Sequence, residues 1–67
     1  MGLSLPYHLH ARMKEFMESE FTPEEIENQE DFHEEHFPGV SHYWNFTVGK
    51  KKHRQCYDYK TDQISLR

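Results

Sequence analysis

Pro38-Gly39 divides the chain into two stretches of different hydrophobic period, and that change limits the fold more than any other feature. Upstream, Leu5, Leu9, Met13, Phe16 and Met17 recur three and four residues apart, and Phe21 can close the row. Side chains at that spacing share one face of an α-helix. Ser4 can cap such a helix, and Pro6 falls in its first turn, where a missing N–H is tolerated. The spacing predicts a helix over about residues 5–20. Downstream, Tyr43, Asn45 and Thr47 alternate with Trp44, Phe46 and Val48, the period of a half-buried strand. Strands are expected over about 42–48, 53–59 and 63–66, separated by a polar turn at Gly49 to Lys52 and a short one at Lys60-Thr61-Asp62.

Between the two stretches stands a second helix start. In Thr22-Pro23-Glu24-Glu25 the threonine and the second glutamate can cap each other's backbone, with proline at the first helical position. This helix is expected over about 23–36, ended by Pro38-Gly39. Its apolar residues Ile26, Phe32 and Phe37 form no unbroken row, so it belongs on the surface, with a break near Asn28-Gln29. The expected fold is therefore α+β: two N-terminal helices followed by a three-stranded antiparallel β-meander, one small domain over 1–67. Trp44, Phe46, Val48 and Ile64 would pack on the first helix.

Such a fold has a thin margin. Ile, Leu, Val and Phe number 13 of 67 residues, and a chain of this length hides only about 60% of its unfolded surface. Ten aromatic residues add apolar area, which favours folding over disorder, and completion by a second copy or a partner is expected to help. Cys56 is the single cysteine, so no internal disulfide can supply a staple, and the expected compartment is reducing and cytoplasmic. No stretch reads as a secretory signal or as a run of about 18 apolar residues, so no membrane association is expected.

Charge is divided along the chain. Residues 1–40 carry ten acidic side chains against Arg12 and Lys14, a net of −8. Residues 41–67 carry six basic side chains against Asp58 and Asp62, a net of +4. Two readings follow. Glu24, Glu25, Glu27, Glu30, Asp31, Glu34 and Glu35 surround most of the second helix and could steer it to a basic surface on another protein. Tyr43, Tyr57 and Tyr59 would then supply contact area beside them. This gives a regulatory interaction protein, an inhibitor or adaptor, whose partner is a basic protein or, by self-association, a homodimer. The alternative is a nucleic-acid-binding module. There Lys50, Lys51, Lys52 and Arg54 on a hairpin would grip phosphates, with Trp44 or Tyr57 stacking on bases.

Catalysis and metal binding have weaker footings. His33-Glu34-Glu35-His36 resembles a zinc-protease helix in composition, but its histidines stand three apart rather than four, and no cysteine pair supports them. Glu30 or Cys56 could complete a site, yet six histidines in an acidic chain are first of all solvated side chains. Cys56 with His53 or His42 could be written as a dyad, but so short a chain leaves little room for an orienting group, oxyanion donors and a closed pocket. No cofactor, metal or enzymatic activity is expected.

Overall fold

The computed structural model describes residues 8–67. The first helix, α1, spans Leu9–Glu20 and buries Leu9, Met13 and Met17, three side chains four residues apart on one face. The expected start at Leu5, with Ser4 as cap and Pro6 in the first turn, lies outside the described residues. Helix α2 is a single short element, Pro23–Glu27. Its capping box forms as the residue types dictate: Thr22 Oγ1 accepts from the Glu25 N–H at 3.1 Å, and Glu25 Oε1 accepts from the Thr22 N–H at 2.9 Å.

The expected helix over 23–36 does not form beyond Glu27. The Asn28 N–H bonds back to Glu24 O at 3.0 Å and its side-chain amide donates to the same carbonyl at 3.0 Å, closing the helix at the anticipated break. The chain then enters a strand, β1 (Glu30–Phe37). The sheet therefore has four strands rather than three: β1, β2 (Ser41–Val48), β3 (Lys51–Asp58) and β4 (Gln63–Leu66), antiparallel in the order β1-β2-β3-β4. The reason is local. Residues 30–37 have no apolar row at helical spacing, and a short isolated helix without tertiary packing is unstable in water. Pairing with β2 satisfies the backbone groups on that side instead. Pro38-Gly39, the expected helix stop, is the turn that makes this pairing possible. Gly39 sits at φ 74° and the Val40 N–H bonds to Phe37 O at 2.9 Å, a type II turn with proline and glycine in their favoured places.

The other turns tighten the meander beyond the expected boundaries. Gly49 and Lys50 both have positive φ, 57° and 67°, the geometry of a two-residue turn whose twist matches a hairpin. Val48 and Lys51 consequently pair, and β3 begins at Lys51 rather than near residue 53. After β3, Asp58 Oδ1 accepts from the Lys60 N–H at 2.8 Å, and Asp62 at φ 59° returns its N–H to Asp58 O at 2.7 Å. These bonds turn the chain into β4.

The register fixes two faces. Phe46, Trp44 and His42 on β2 stand opposite His53, Gln55 and Tyr57 on β3. The core comprises Leu9, Met13, Met17, Trp44, Phe46 and Tyr57, with Val48, Ile64 and Leu66 packed around it. Gln55, fully buried, reaches α1 by donating its side-chain amide to Met13 O at 2.8 Å. The opposite face carries Tyr43, Asn45, Thr47, Lys52 and Arg54, and its Cys56 is buried. The core thus lies under α1 over β2 and β3, while most of β1 is exposed. Among the described residues no helix is long and apolar enough to cross a membrane.

Candidate interaction surface

The acidic side chains gather where α1 ends, α2 follows and β1 begins. Phe21, Pro23 and Ile26 floor a groove of about 330 Å³ there, walled by Glu18 and Glu27. Phe21 holds its place by edge contacts with Phe46 and His53, at 5.5 and 5.0 Å between ring centroids. The Glu25 carboxylate is engaged by the α2 cap. Those of Glu24, Glu27, Glu30 and Asp31 form no ion pair among the described residues.

The basic hairpin is not a distant pole. Val48 and Gly49 share a shallow depression with Glu24, Glu25 and Asn28, and Lys52 lies two strands from Glu30, roughly 10 Å at ordinary strand spacing. Among the described residues, Lys50, Lys51 and Lys52 nevertheless form no ion pair with those carboxylates. Glu18 and Glu27 line the groove and Glu24 and Glu25 the depression beside it, so carboxylates gather at the end that also holds the lysine hairpin.

From this end β1 runs along the edge of the sheet. The bulge between Glu30 and His33, with Asp31 at φ 55°, gives way to regular pairing from His33 opposite Asn45 to Phe37 opposite Ser41. Glu34 is clamped from β2: its Oε2 accepts from the Trp44 indole N–H at 2.7 Å and from the buried His42 Nε2 at 3.1 Å. His36 stacks edge-on to His42, 5.2 Å between centroids, and is hydrogen-bonded through Nε2 to the Tyr59 hydroxyl at 2.8 Å. On the other face Arg54 donates to Glu35 at 3.0 Å and to Asn45 Oδ1 at 2.9 Å, and its guanidinium lies 4.6 Å from the Tyr43 ring centroid. Phe32 touches Trp44 and Phe37 touches Tyr43 at their edges, yet both phenylalanines stay about half exposed, 45% and 49%.

Several expected site residues lie elsewhere than the sequence suggested. Glu30, Asp31 and Glu34 belong to a strand, not a helix, so acids that would have surrounded a cylinder instead alternate between the two faces of a sheet. Tyr57 is 4% exposed, because the β2–β3 register turns it towards α1; it is core rather than contact surface. Tyr43 and Tyr59 are half-buried. The same register buries Trp44 at 5% exposure, so it offers no face to a base, and Arg54 is already engaged. Lys50, Lys51 and Lys52 remain exposed at the hairpin end, and among the described residues no aromatic ring contact accompanies them.

His33 and His36 fall on opposite faces of β1, and among the described residues no group of three or more His, Cys, Asp or Glu side chains could hold a metal ion. Cys56 faces away from the sheet side that carries His42 and His53, so the register separates the members of the suggested dyad.

The residues that sequence reasoning missed are Phe32 and Phe37 as exposed edge side chains, the Phe21–Ile26 groove, and a latch at the opposite end of the molecule. There Arg12 donates to Asp62 Oδ1 at 2.7 Å and to Asp62 O at 3.2 Å, while the Tyr57 hydroxyl donates to the same Oδ1 at 2.7 Å. These contacts shift the titrations. The Arg12 hydrogen bond, then that of Tyr57, hold the Asp62 carboxyl below its ordinary value. The bond to Asp62, then burial, push the Tyr57 hydroxyl up, and burial alone raises Tyr59. Proline-glycine after a stretch in which Phe32, Glu34 and His36 alternate with His33, Glu35 and Phe37 was the available signal for the edge strand.

Comparison with protein-family models, with curated proteins and with solved structures finds no match to this chain.

Proposed function

We propose that the chain is a small non-enzymatic cytoplasmic interaction protein, an adaptor or inhibitor, that docks on a basic surface of another protein. The observation that carries this reading is the acidic end. Glu18 and Glu27 flank an apolar groove, Glu24 and Glu25 stand beside it, and none of these carboxylates forms an ion pair among the described residues. Unpaired surface carboxylates add little to folding, but their summed field accelerates encounter with a cationic partner and selects against an anionic one. The groove formed by Phe21, Pro23 and Ile26 gives that partner an apolar contact once it arrives. Single-strand recognition uses exposed aromatic platforms beside its cations, and the burial of Trp44 and Tyr57 makes a nucleic acid the second choice.

The test compares two labelled polymers by fluorescence anisotropy at about 50 mM salt, where screening is weak. Oligolysine should bind, its binding should fade as salt rises, and the variant carrying Glu24→Lys, Glu27→Lys and Glu30→Lys should lose it. A single-stranded oligonucleotide should stay free. Oligolysine binding that survives the charge reversal, or tight binding of the oligonucleotide, would overturn the reading.

A further inference from the structure

We infer that the outer edge of β1 captures an extended basic segment of the partner protein as a fifth strand of the sheet; this rests on the docking reading above and specifies how the contact is made. β1 pairs with β2 on one side, and among the described residues no backbone hydrogen bond crosses its other edge. Backbone amides and carbonyls left in a row along an edge are a template for another strand. The exposed large apolar side chains of the described residues, Phe32, Phe37 and Val40, all lie on this strand or in the turn that follows it. Phe32 and Phe37 keep about half of each ring in water beside this edge, apolar area that an added strand would cover.

The order of residues along β1 states what the incoming strand must look like. Glu34 and Glu35 are consecutive and therefore point to opposite faces. Each has one carboxylate oxygen in the bonds described above, which leaves Glu34 Oε1 and Glu35 Oε2 without a bond in the sheet. Two residues from Glu34, on its face, stands Phe32; two residues from Glu35, on the other face, stands Phe37. A strand laid against Phe32 to Phe37 thus meets a carboxylate and a phenylalanine on each face. Its complement is a segment with two adjacent cations, one spacer on either side, and an apolar residue beyond each spacer. Because this pattern is symmetric, it suits either strand direction. A second copy of the chain is disfavoured as occupant, since the antiparallel β1–β1 register that covers Phe32 with Phe37 sets Glu34 against Glu35. The same two glutamates therefore repel self-pairing and select a cationic strand.

The test uses acetyl-Val-Thr-Lys-Lys-Thr-Val-amide and a peptide of identical composition in the order Lys-Thr-Val-Val-Thr-Lys, followed by amide NMR and hydrogen exchange on the full chain. The first peptide should shift and protect amides of His33 to Phe37. The second should bind about tenfold more weakly, because the cross-strand ion and apolar pairs are lost while charge is constant. N-methylation of the first peptide's edge amides should abolish the effect. Equal binding of both orders, with shifts confined to α2, would overturn strand addition and leave the acidic docking reading intact. Failure of both peptides while oligolysine still binds overturns strand addition in the same way, and failure of all three removes both readings. A doubled native mass with β1 amides protected before any peptide is added would assign the edge to a second copy and overturn the proposal.

Discussion

β1 and β2 are adjacent, equally long and hydrogen-bonded to each other, yet they are strands for different reasons. β2 places His42, Trp44 and Phe46 under α1 and is held by burial. β1 is exposed over its first five residues and is held by its backbone ladder, a type II turn and a few polar clamps. Strand structure here is thus specified once by side-chain packing and once by the neighbour it pairs with. The two mechanisms predict different sensitivities. Phenylalanine occurs on both strands, so one residue type can measure them. Phe46→Ala removes a nearly fully buried ring from the core and should destabilise by about 3 to 5 kcal/mol. Against the thin margin of so small a fold, that should leave the variant largely unfolded in urea titration and circular dichroism. A cooperative unfolding transition displaced by less than about 1 kcal/mol would show that the core is not where stability resides.

Next in size is the clamp between the strands. Glu34→Ala leaves the Trp44 indole N–H and the His42 ring N–H without their acceptor, both on side chains that are almost fully buried. A buried donor deprived of its partner costs about 1 to 3 kcal/mol, and Glu34→Gln, which keeps an acceptor oxygen in place, should recover much of the loss. Equal effects of the two substitutions would assign Glu34's contribution to something other than hydrogen bonding. Hydrogen exchange adds a finer comparison: β1 amides should open at lower free energy than those of β2 and β3 in the wild type, and Glu34→Ala should widen that gap.

The same contrast explains what the sequence disclosed. Period-two alternation in Tyr43 to Val48 marks β2 because its hydrophobic side chains fall on one face, and the four-residue spacing of Leu9, Met13 and Met17 marks α1 for the equivalent reason. The capping box at Thr22 was legible because its chemistry is local. β1 was not legible. Its alternation is written in Phe, His and Glu rather than in large apolar side chains, and its pairing depends on Pro38-Gly39 being a hairpin turn instead of a helix stop. Both uses suit that dipeptide; the ladder with β2 decides between them. The charge pattern along the chain left its placement in space open. Acidic and basic halves separated in sequence are folded back to the same end of the molecule, so position along the chain did not translate into opposite poles. Glu24, Glu25 and Glu27 stand on α2 as expected and Trp44 packs under α1 as expected, whereas Tyr57, expected at a contact surface, is made core by the register.

A smaller effect belongs to the latch that ties α1 to the β3–β4 turn, and its signature is a dependence on pH. The Asp62 carboxyl is held low by Arg12 and Tyr57, so the stability it contributes is complete above the unfolded carboxylate range, near 3.9, and is lost as pH falls through its depressed folded value. Tyr57 runs the other way. Its hydroxyl is pushed up, so its contribution is complete below the unfolded tyrosine value, near 10, and is lost as pH rises through the raised one. Tyr57→Phe should cost about 1 kcal/mol near neutrality and blunt the alkaline limb, leaving the Arg12–Asp62 part of the acid limb in place. Asp62→Asn should remove the acid limb that Asp62 supplies and shrink the alkaline one, leaving the part that burial of Tyr57 and Tyr59 supplies. A Tyr57→Phe profile parallel to wild type at high pH would break the assignment.

The last comparison returns to phenylalanine, now on the exposed strand. Phe32 and Phe37 each keep about half their surface in water and touch one ring apiece, Trp44 and Tyr43. Replacing both by serine removes two half-buried rings from the sheet edge rather than from the core, at about 1 kcal/mol per ring. The midpoint in urea should therefore fall by less than in Phe46→Ala. Half of each ring stays in water, and that half is what an incoming strand can cover. The double variant should keep the register of β1, seen as unchanged cross-strand amide contacts with β2, and lose affinity for the Val-Thr-Lys-Lys-Thr-Val peptide. If it instead unfolds β1 or lowers global stability as much as Phe46→Ala does, the two phenylalanines are structural after all. The division between a strand held by packing and a strand held by pairing would then collapse.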